Sequence, residues 1–300
     1  MAGRIWELFG FRAEDESEAA QQAADNRHCP VINAPCEKRF SDGVISGVCS
    51  LKPVNSQAVI CCPIRLYGDS YMILSQVASM AFGGGLQLVP GREAVAHSKS
   101  NVSACVAVFG KRWGGELRLP QKGGKGGYFV DWVLAKIDSS GALEEFVAVE
   151  VQTIDTTGSY RAGYDSLMKD RANVSTTAGL NWENVSKRIL PQLIYKGQVL
   201  QREDLCRKGL FFVCPDPVLT RIMARLGGQD GLVKYALQPA SITFLAYTHG
   251  VPPYVDGALV PLVQTVAHST TVYKLQEAFN NVTLPDENVY KAAILRALGA

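Results

Sequence analysis

A cluster of cysteines in a turn-rich segment constrains the fold of this chain more than any other feature. Five of the eight cysteines lie between Cys29 and Cys62, and the surrounding residues 26–67 contain four prolines, two glycines and no helical periodicity. Such a segment has too few large apolar side chains to fold by burial alone. We therefore expect the thiols to stabilise it, because four thiolates on turn-rich backbone can surround one tetrahedral metal ion.

The spacing of the cysteines leaves both the ligand set and the metal open. It reads Cys29-x6-Cys36-x12-Cys49-x11-Cys61, and Cys62 could replace Cys61. Adjacent residues of an extended segment point to opposite sides, so only one of the last two is expected to be a ligand. Zinc and iron both suit thiolates, and a site of this kind contributes on the order of 10 kcal/mol to folding. The alternative is a chance cluster of buried thiols.

The composition describes a folded chain and excludes two classes of protein. Of the 300 residues, 47% are hydrophobic and 19% are charged, which rules out a disordered chain. No apolar run approaches the roughly 18 residues that a membrane-spanning helix needs. The opening MAGRIWELFGFRAEDESEAA has no apolar signal core, so we expect a cytoplasmic protein with reduced cysteines. The net charge of +2 neither requires nor excludes nucleic acid as a partner, so any basic surface must be local.

The order of the predicted elements indicates an α/β or α+β fold with two domains. The first, 1–69, is expected to contain a helix over 3–24 followed by the cysteine segment. The second, 70–300, holds the remaining elements. These are a helix over 70–82, strands over 104–109, 116–119, 128–137 and 143–154, a helix over 181–205 interrupted at Pro191, a strand over 209–214, a helix over 217–226, a strand over 241–247 and a helix over 288–298. Short connections around 128–137 predict an antiparallel meander of three strands.

Acidic residues in the central strands form the second chemical feature. Asp131 lies in YFVDWVLAKI and Glu150 lies in FVAVEVQTI, two neighbouring predicted strands dominated by apolar residues. A carboxylate in such a strand costs several kcal/mol unless it is paired or bound to a metal. Glu150 and Gln152 share one side of their strand, roughly 6.5–7 Å apart, and Asp131 can join them from the next strand.

This arrangement favours Mg²⁺-dependent hydrolysis of a phosphodiester bond. Carboxylates can hold Mg²⁺, which polarises a phosphate and lowers the pKa of the attacking water. The third position of such sites is most often lysine, whereas Gln152 is neutral and can only orient water. Glu116, on the preceding predicted strand, could add a third carboxylate. Alternatively, the two carboxylates in the strands are charges at the edge of the sheet that Lys136 or Arg118 satisfies.

Taken together, these motifs resemble the NotI-type restriction endonucleases. The cysteine segment reads HCP…PCEKRF…GVCS…ICCPIR, and FVDWVL, VEVQT and NWENVSKRILPQLIYKG follow it. The likeness runs from about residue 27 to about residue 214, and the compact chain is similar to members that cut a short GC-rich palindrome of the CGGCCG type. It implies a PD-(D/E)xK nuclease core, with a central mixed sheet flanked by helices, beside a small loop-rich metal module with four cysteine ligands. It also implies a bacterial homodimer that cuts both strands of duplex DNA with Mg²⁺.

The resemblance assigns roles to individual residues. Asp131 and Glu150 would bind the catalytic Mg²⁺, Gln152 would stand where lysine is usual, and Glu116 would be an additional acidic residue. The structural metal would be a single iron, with zinc as the alternative. Its ligands would be Cys29, Cys36, Cys49 and either Cys61 or Cys62.

Contacts with DNA are predicted at four basic residues. Lys122 and Lys125 lie in the loop QKGGKGG near Asp131, where glycine permits close approach to a DNA backbone. The alternative is a flexible hairpin loop. Arg39 and Arg65 frame the cysteines, and arginine suits the O6 and N7 atoms of guanine. Equally, both could be solvated surface residues.

Three functions are compatible with these features. The leading hypothesis is a type II restriction endonuclease that cuts a short GC-rich palindrome. The second is a metal-cluster DNA-binding protein without nuclease activity. The third is a metal-stabilised enzyme that acts on another phosphoester. Mg²⁺-dependent cutting separates the first from the second, and a steep loss of affinity with salt is expected only of a duplex binder.

Overall fold

The positions of the strands and helices are taken from a computed structural model, which describes residues 3–120, 127–228, 231–281 and 286–299. The strands in these ranges are β1 (Gly3–Leu8), β2 (Phe11–Arg12), β3 (His28–Cys29), β4 (Ala34–Pro35), β5 (Val48–Pro53), β6 (Val59–Ile60), β7 (Gln87–Pro90), β8 (Cys105–Gly110), β9 (Arg118–Pro120), β10 (Gly127–Phe129), β11 (Trp132–Ile137), β12 (Leu143–Val151), β13 (Thr156–Thr157), β14 (Gly179–Leu180), β15 (Leu210–Pro215), β16 (Ser241–His249) and β17 (Leu262–Thr271). The helices are α1 (Glu18–Asp25), α2 (Gly68–Phe82), α3 (Ala94–Asn101), α4 (Arg161–Asp170), α5 (Leu190–Leu200), α6 (Asp216–Arg225), α7 (Val272–Asn280) and α8 (Val289–Ala297), with a 3-10 helix over Pro63–Tyr67 and a π-helical turn over Val185–Ile189.

Seven strands form the central sheet, in the order β17-β16-β15-β12-β11-β8-β7. The pairs β12–β15, β15–β16 and β7–β8 are parallel, whereas β8–β11, β11–β12 and β16–β17 are antiparallel. Helices α3, α5 and α6 pack against strands of this sheet. The prediction of a mixed sheet with flanking helices is therefore confirmed.

Both faces of the sheet are buried, which explains the continuous apolar strands at its centre. Val149 belongs to the same apolar cluster as Leu74 of α2. Ala148, which points to the opposite side of β12, clusters with Leu193 of α5. Glu150 shares the side of Ala148, so its carboxylate faces α5 across the sheet surface.

The predicted three-stranded meander is only partly correct. The first of its strands lies outside the central sheet, because β9 pairs with β10 in a separate hairpin and β11 has β8 as its second neighbour. The predicted strand over 128–137 is also interrupted at Val130 and Asp131. The cause is local: Asp131 Oδ2 accepts a hydrogen bond of 2.7 Å from the backbone N–H of Val151, which a regular ladder would direct to a backbone carbonyl.

The prediction of a helix over 3–24 is wrong for its first half. Residues Gly3–Leu8 form β1, which pairs with β5 in a four-stranded sheet of order β2-β1-β5-β6. The apolar side chains of Ile5 and Leu8 are buried in this sheet instead of forming one helical stripe. Gly10, with φ of +86°, lies in the turn that follows, and α1 begins only after Ser17, whose hydroxyl accepts a hydrogen bond from Ala20 N.

The later elements follow the sequence pattern closely. The predicted helix over 70–82 is α2, which ends at Gly83 with φ of +91°. The predicted helix over 181–205 is divided into the π-helical turn and α5, with Pro191 in the first turn of α5. The predicted elements over 209–214, 217–226, 241–247 and 288–298 correspond to β15, α6, β16 and α8. Two elements that the pattern did not predict, β17 and α7, cover the edge beyond β16.

A buried ionic network joins the N-terminal sheet to the central sheet. Glu7 of β1 is fully buried and accepts from Arg65 Nε at 2.9 Å and from His249 Nε2 at 3.0 Å, and the hydroxyl of Ser50 also donates to it. Burial alone would raise the pKa of Glu7, but the Arg65 guanidinium and His249 hold it below its ordinary value. His249 ends β16 while Glu7 lies in β1, so the network crosses the predicted boundary at 69/70, which stays a prediction.

Arg65 therefore has a structural role instead of the predicted contact with DNA. Its side chain is only 2% exposed, and its guanidinium donates to Glu7 and to the carbonyl oxygen of Val260. A base edge cannot reach a guanidinium at this depth, and two of its N–H groups already donate inside the protein.

We expect Glu7→Gln to lower the free energy of unfolding by about 3–5 kcal/mol near neutral pH, because it leaves the buried Arg65 charge without its partner. The folded-state pKa of Glu7 is lowered, so the stabilisation is present above its ordinary value and is lost as the pH falls through the folded value. Urea denaturation at a series of pH values measures the free energy of unfolding of the unaltered protein and of Glu7→Gln. The difference between the two is expected to become smaller in acid. The control is Glu183→Gln, which removes an exposed ion pair with Lys187 and is expected to change stability little. Equal effects of the two variants would contradict this prediction.

Candidate active site and cysteine cluster

The predicted catalytic carboxylates meet at the end of β12. In the ladder between β11 and β12, Trp132 lies opposite Val149, so one further step of the same register places Asp131 opposite Glu150. On its other side, Glu150 is the register partner of Phe212 in the parallel strand β15. The backbone of three adjacent strands thus fixes the two carboxylates, and no flexible loop is needed to bring them together.

The two carboxylates perturb each other strongly. Burial raises the pKa of Glu150 to about 7, and the charge of Asp131 contributes to the increase. Burial also raises the pKa of Asp131, although the bond from Val151 N–H and the charge of Lys196 act in the opposite direction. The charge of Glu116 raises the pKa of Asp131 further, so this exposed third carboxylate lies within electrostatic range of the pair. Such mutual perturbation is typical of sites that bind a cation or transfer protons.

The two oxygen atoms of Glu150 have different surroundings. Oε1 lies 2.6 Å from the ammonium nitrogen of Lys196 on α5. Oε2 is buried and has no hydrogen-bond partner among the described residues. A buried carboxylate oxygen without a partner is costly unless a cation occupies the space beside it. The residues present therefore fit a divalent metal, which Asp131 and Glu150 would hold.

Gln152 is uncharged, and its amide nitrogen is bonded to a neighbouring backbone group. Its side-chain amide donates to the carbonyl oxygen of Thr153 at 3.2 Å, and its backbone N–H continues the pairing with Val213. The cation near the carboxylates is Lys196, which the sequence analysis missed. A signal was present, because Lys196 is the one charged residue of α5, LPQLIYKGQVL, and directly precedes Gly197.

The five clustered cysteines are all buried, and their thiols influence one another. Burial raises the pKa of Cys29, and the charge of Cys36 adds to the effect. Burial raises the pKa of Cys49 well above its usual range, with further contributions from Cys62 and Cys29. Burial likewise raises the pKa of Cys62 to about 11, with further contributions from the charges of Cys61 and Cys36, while Lys38 acts in the opposite direction. Cys29, Cys36, Cys49 and Cys62 are therefore neighbours in space.

Cys61 has different surroundings. Its sulfur accepts from Lys38 Nζ at 3.1 Å, and the same ammonium group donates to the Cys61 carbonyl oxygen at 2.9 Å. All eight cysteines lie in the described ranges, and each has a free thiol. Within those ranges, no group of three or more histidine, cysteine or carboxylate side chains is arranged closely enough to hold a metal ion. The thiols thus neighbour one another without surrounding a common point.

The cysteine segment is linked to the carboxylate site through Arg112, which follows β8. Arg112 forms an ion pair of 2.5 Å with Glu37, the residue after Cys36. The pKa of Tyr67 is raised by burial and by the charges of Asp131 and Glu150, while Arg112 lowers it, so all of these groups lie within electrostatic range of the Tyr67 hydroxyl. The two chemical features of the sequence therefore adjoin each other.

The remaining predicted DNA contacts are distributed as follows. Arg39 is exposed, and its guanidinium donates to the carbonyl oxygen of Gly43 at 2.8 Å. Lys122 and Lys125 lie outside the described residues. Lys136, which was considered as a partner of Asp131 or Glu150, forms an ion pair of 2.8 Å with Glu144 instead.

Comparison with known proteins identifies the family. The family model for the restriction endonuclease NotI matches residues 11–214, a range that includes all the cysteines and the carboxylates of the candidate site. The chain belongs to the NotI restriction endonuclease family. No curated protein sequence matches the chain.

Membership of the NotI restriction endonuclease family decides between the three functions considered above. The chain is a site-specific deoxyribonuclease of the type II restriction class, DNA is its substrate and a divalent metal is implied. The carboxylate pair with an unpartnered oxygen atom agrees with that requirement. In the described residues, no helix is both long and apolar enough to cross a membrane.

Protonation of Glu150 is expected to compete with a divalent cation for this site. The raised pKa of about 7 means that the side chain is fully ionised only above that pH. We expect the affinity of the DNA-free protein for Mn²⁺ to fall by about tenfold for each pH unit below this value, since a ligand must lose its proton before it binds metal. Calorimetric titration at several pH values measures the effect, and Glu150→Gln should remove it. An affinity that does not change with pH in the unaltered protein would contradict the prediction.

Proposed function

We propose that this protein is a Mg²⁺-dependent restriction endonuclease that hydrolyses both strands of duplex DNA at a short GC-rich palindrome of the CGGCCG type. The observation that carries the proposal is the register of β11 and β12, which sets Asp131 opposite Glu150 and leaves Glu150 Oε2 buried without a partner among the described residues. Two carboxylates and the phosphate oxygens of a substrate are the usual ligands of Mg²⁺ in such enzymes.

Each residue of the site has a role in the reaction. Asp131 and Glu150 hold the cation, and Glu116 adds negative charge on the exposed side, where water enters. A Mg²⁺ ion held by these residues would polarise the scissile phosphate and lower the pKa of the attacking water. The water oxygen forms a bond to phosphorus as the bond to the leaving oxygen breaks, and the proton lost by the water passes to solvent. Gln152, an uncharged residue at the end of β12, orients the water through its amide.

The cysteine segment holds one structural metal ion, which the family resemblance assigns as iron, with zinc as the alternative. Its ligands would be Cys29, Cys36, Cys49 and Cys62, all of which are buried. Cys61 is excluded because its sulfur already accepts from Lys38. The metal would draw these four sulfurs toward a common point and release their protons, which burial otherwise retains.

The enzyme acts as a homodimer in the bacterial cytoplasm. A palindrome has two-fold symmetry, so two copies of one chain can present identical sites to its two strands. Lys122, Lys125 and Arg39 are the proposed contacts with DNA, and Arg65 is withdrawn from that set because it is buried.

Digestion of a GC-rich plasmid with the purified protein tests the function directly. Discrete fragments with Mg²⁺, and none with EDTA, are expected, and sequencing of their ends gives the recognition site. Sedimentation of the protein with and without a cognate duplex measures the oligomeric state. Absence of fragments from several GC-rich DNAs, combined with a salt-sensitive gel shift, would favour a binding protein over the proposed nuclease.

Asp131→Ala and Glu150→Ala are expected to lower the cleavage rate by at least about 1000-fold, which corresponds to about 4 kcal/mol of transition-state stabilisation. Specific binding of cognate DNA with Ca²⁺ should persist, because the altered side chains do not read bases. Single-turnover cleavage and gel-shift assays measure the two properties. The control is Glu144→Ala, an exposed residue of the same strand that pairs with Lys136 and should cut normally. Normal cutting by either carboxylate variant would refute the proposed site.

Two neighbouring cysteines provide a matched test of the structural metal. We expect Cys62→Ser to lose the bound metal and to unfold at a markedly lower temperature, whereas Cys61→Ser keeps about one metal ion per chain. Elemental analysis of the purified proteins measures the content and identifies iron or zinc. The reverse result would assign the fourth ligand to Cys61, and equal retention by both variants would rule out this ligand set.

A further inference from the structure

The charges of the proposed active site are unbalanced without a basic residue. Asp131 and Glu150 lie side by side, the exposed Glu116 acts on Asp131 through its charge, and a DNA phosphate adds negative charge as the reaction proceeds. The third position of the catalytic strand would normally supply a lysine, but Gln152 is neutral and its amide is bonded to the carbonyl oxygen of Thr153. A positive charge must therefore come from another element of the fold.

Lys196 of α5 is placed to provide this charge. Its ammonium nitrogen lies 2.6 Å from Glu150 Oε1, while Oε2 of the same carboxylate is left for a cation. The charge of Lys196 also acts on Asp131, so it reaches both members of the pair. The Lys196 side chain is 15% exposed, so its ammonium group is not sealed inside the core.

The packing of α5 fixes the position of this lysine. Leu193 and Gly197 flank it on the helix and are buried against the central sheet. A Cβ atom at Gly197 would lie 2.9 Å from a methyl group of Val272 and 3.1 Å from one of Ile242, so any larger residue would require these side chains to shift. The close approach brings the long side chain of Lys196 to the end of β12, on the face of the sheet that carries Glu150.

We propose that Lys196 replaces the missing strand lysine and stabilises the negative charge that develops on the scissile phosphate. This inference rests on the proposed nuclease function and deepens it. In nucleases of this type, a lysine at the position of Gln152 usually supplies the positive charge from the strand. Here Lys196 would supply it from helix α5. A neutral residue at position 152 is therefore sufficient. When DNA is absent, the ammonium group of Lys196 stays paired with Glu150.

A second lysine–glutamate pair on the same strand separates this role from simple charge neutralisation. Lys208 lies 3.0 Å from Glu145 at the other end of β12, and it also donates to the carbonyl oxygen of Ala81. Both pairs are largely shielded from solvent. Lys208→Met is therefore the matched control for the structural cost of losing a partly buried ammonium group.

The experiment compares Lys196→Met, Lys196→Arg, Lys208→Met and the double variant Lys196→Met/Gln152→Lys. Single-turnover cleavage of a cognate duplex gives the rate, Ca²⁺-supported gel shifts give the affinity, and thermal unfolding reports the folded state. We expect Lys196→Met to cut about 100-fold or more slowly while its DNA affinity stays within about threefold. The cleavage rate of Lys196→Arg should fall by about tenfold or less. The double variant Lys196→Met/Gln152→Lys should cut at least about tenfold faster than Lys196→Met. Lys208→Met should cut as the unaltered protein does.

The outcomes are distinguishable. If the unaltered protein cuts DNA and Lys196→Met cuts within threefold of it, the role of Lys196 is refuted while the nuclease function stands. A loss that neither arginine at 196 nor lysine at 152 reduces would make Lys196 a structural residue, which also overturns the inference. Should Lys196→Met unfold, the same comparison is made between Lys196→Arg and Lys196→Gln. If the unaltered protein cuts no DNA, the proposed function itself fails.

Discussion

The hydrogen bond between the Val151 N–H and the Asp131 carboxylate determines how the catalytic end of the sheet is built. It replaces a ladder bond with a bond to a side chain, so the strand before β11 is interrupted and Asp131 is held beside β12. Because the side chain is fixed by a backbone donor, its position does not depend on its own rotamer freedom or on a loop. Asp131 then lies opposite Glu150, and two negative groups are placed together in a region that excludes much of the water.

That enforced proximity is unfavourable in itself, and the surrounding elements reduce its cost. Lys196 offsets part of the charge through one oxygen of Glu150, while protonation of a side chain with a pKa of about 7 offsets more. Before any cation binds, the site carries an unfavourable electrostatic energy, because the buried Glu150 Oε2 has no partner in the described part of the chain. The central sheet resists movements that would lower this energy, since both of its faces are packed by helices and three strands hold the carboxylates.

The chemistry of the site can be predicted from the sequence more fully than the order of the strands and helices around it. Alternation along FVAVEVQTI and the short turn before it are sufficient to pair Asp131 with Glu150, because the register of a tight hairpin is a local property. The N-terminal residues were misread because Ile5 and Leu8 fit a helical stripe as well as a strand, and only the partner β5, more than forty residues away, decides between the two. Lys196 was missed for a similar reason: its contact with Glu150 joins elements that only the packing of α5 on the sheet brings together.

The buried network around Glu7 limits which segments of the chain can be exchanged between members of the family. The cysteine segment resembles a separable module, yet its flanking residue Arg65 is neutralised by β1 and shares Glu7 with His249, which lies at the end of β16. A chimera that joined the first 69 residues of this chain to the remainder of another family member would keep both Arg65 and Glu7 but would meet a foreign residue in place of His249. The N-terminal third and the C-terminal strands of this chain therefore have to change together, and new DNA specificities are more easily introduced in exposed segments that leave this buried junction intact.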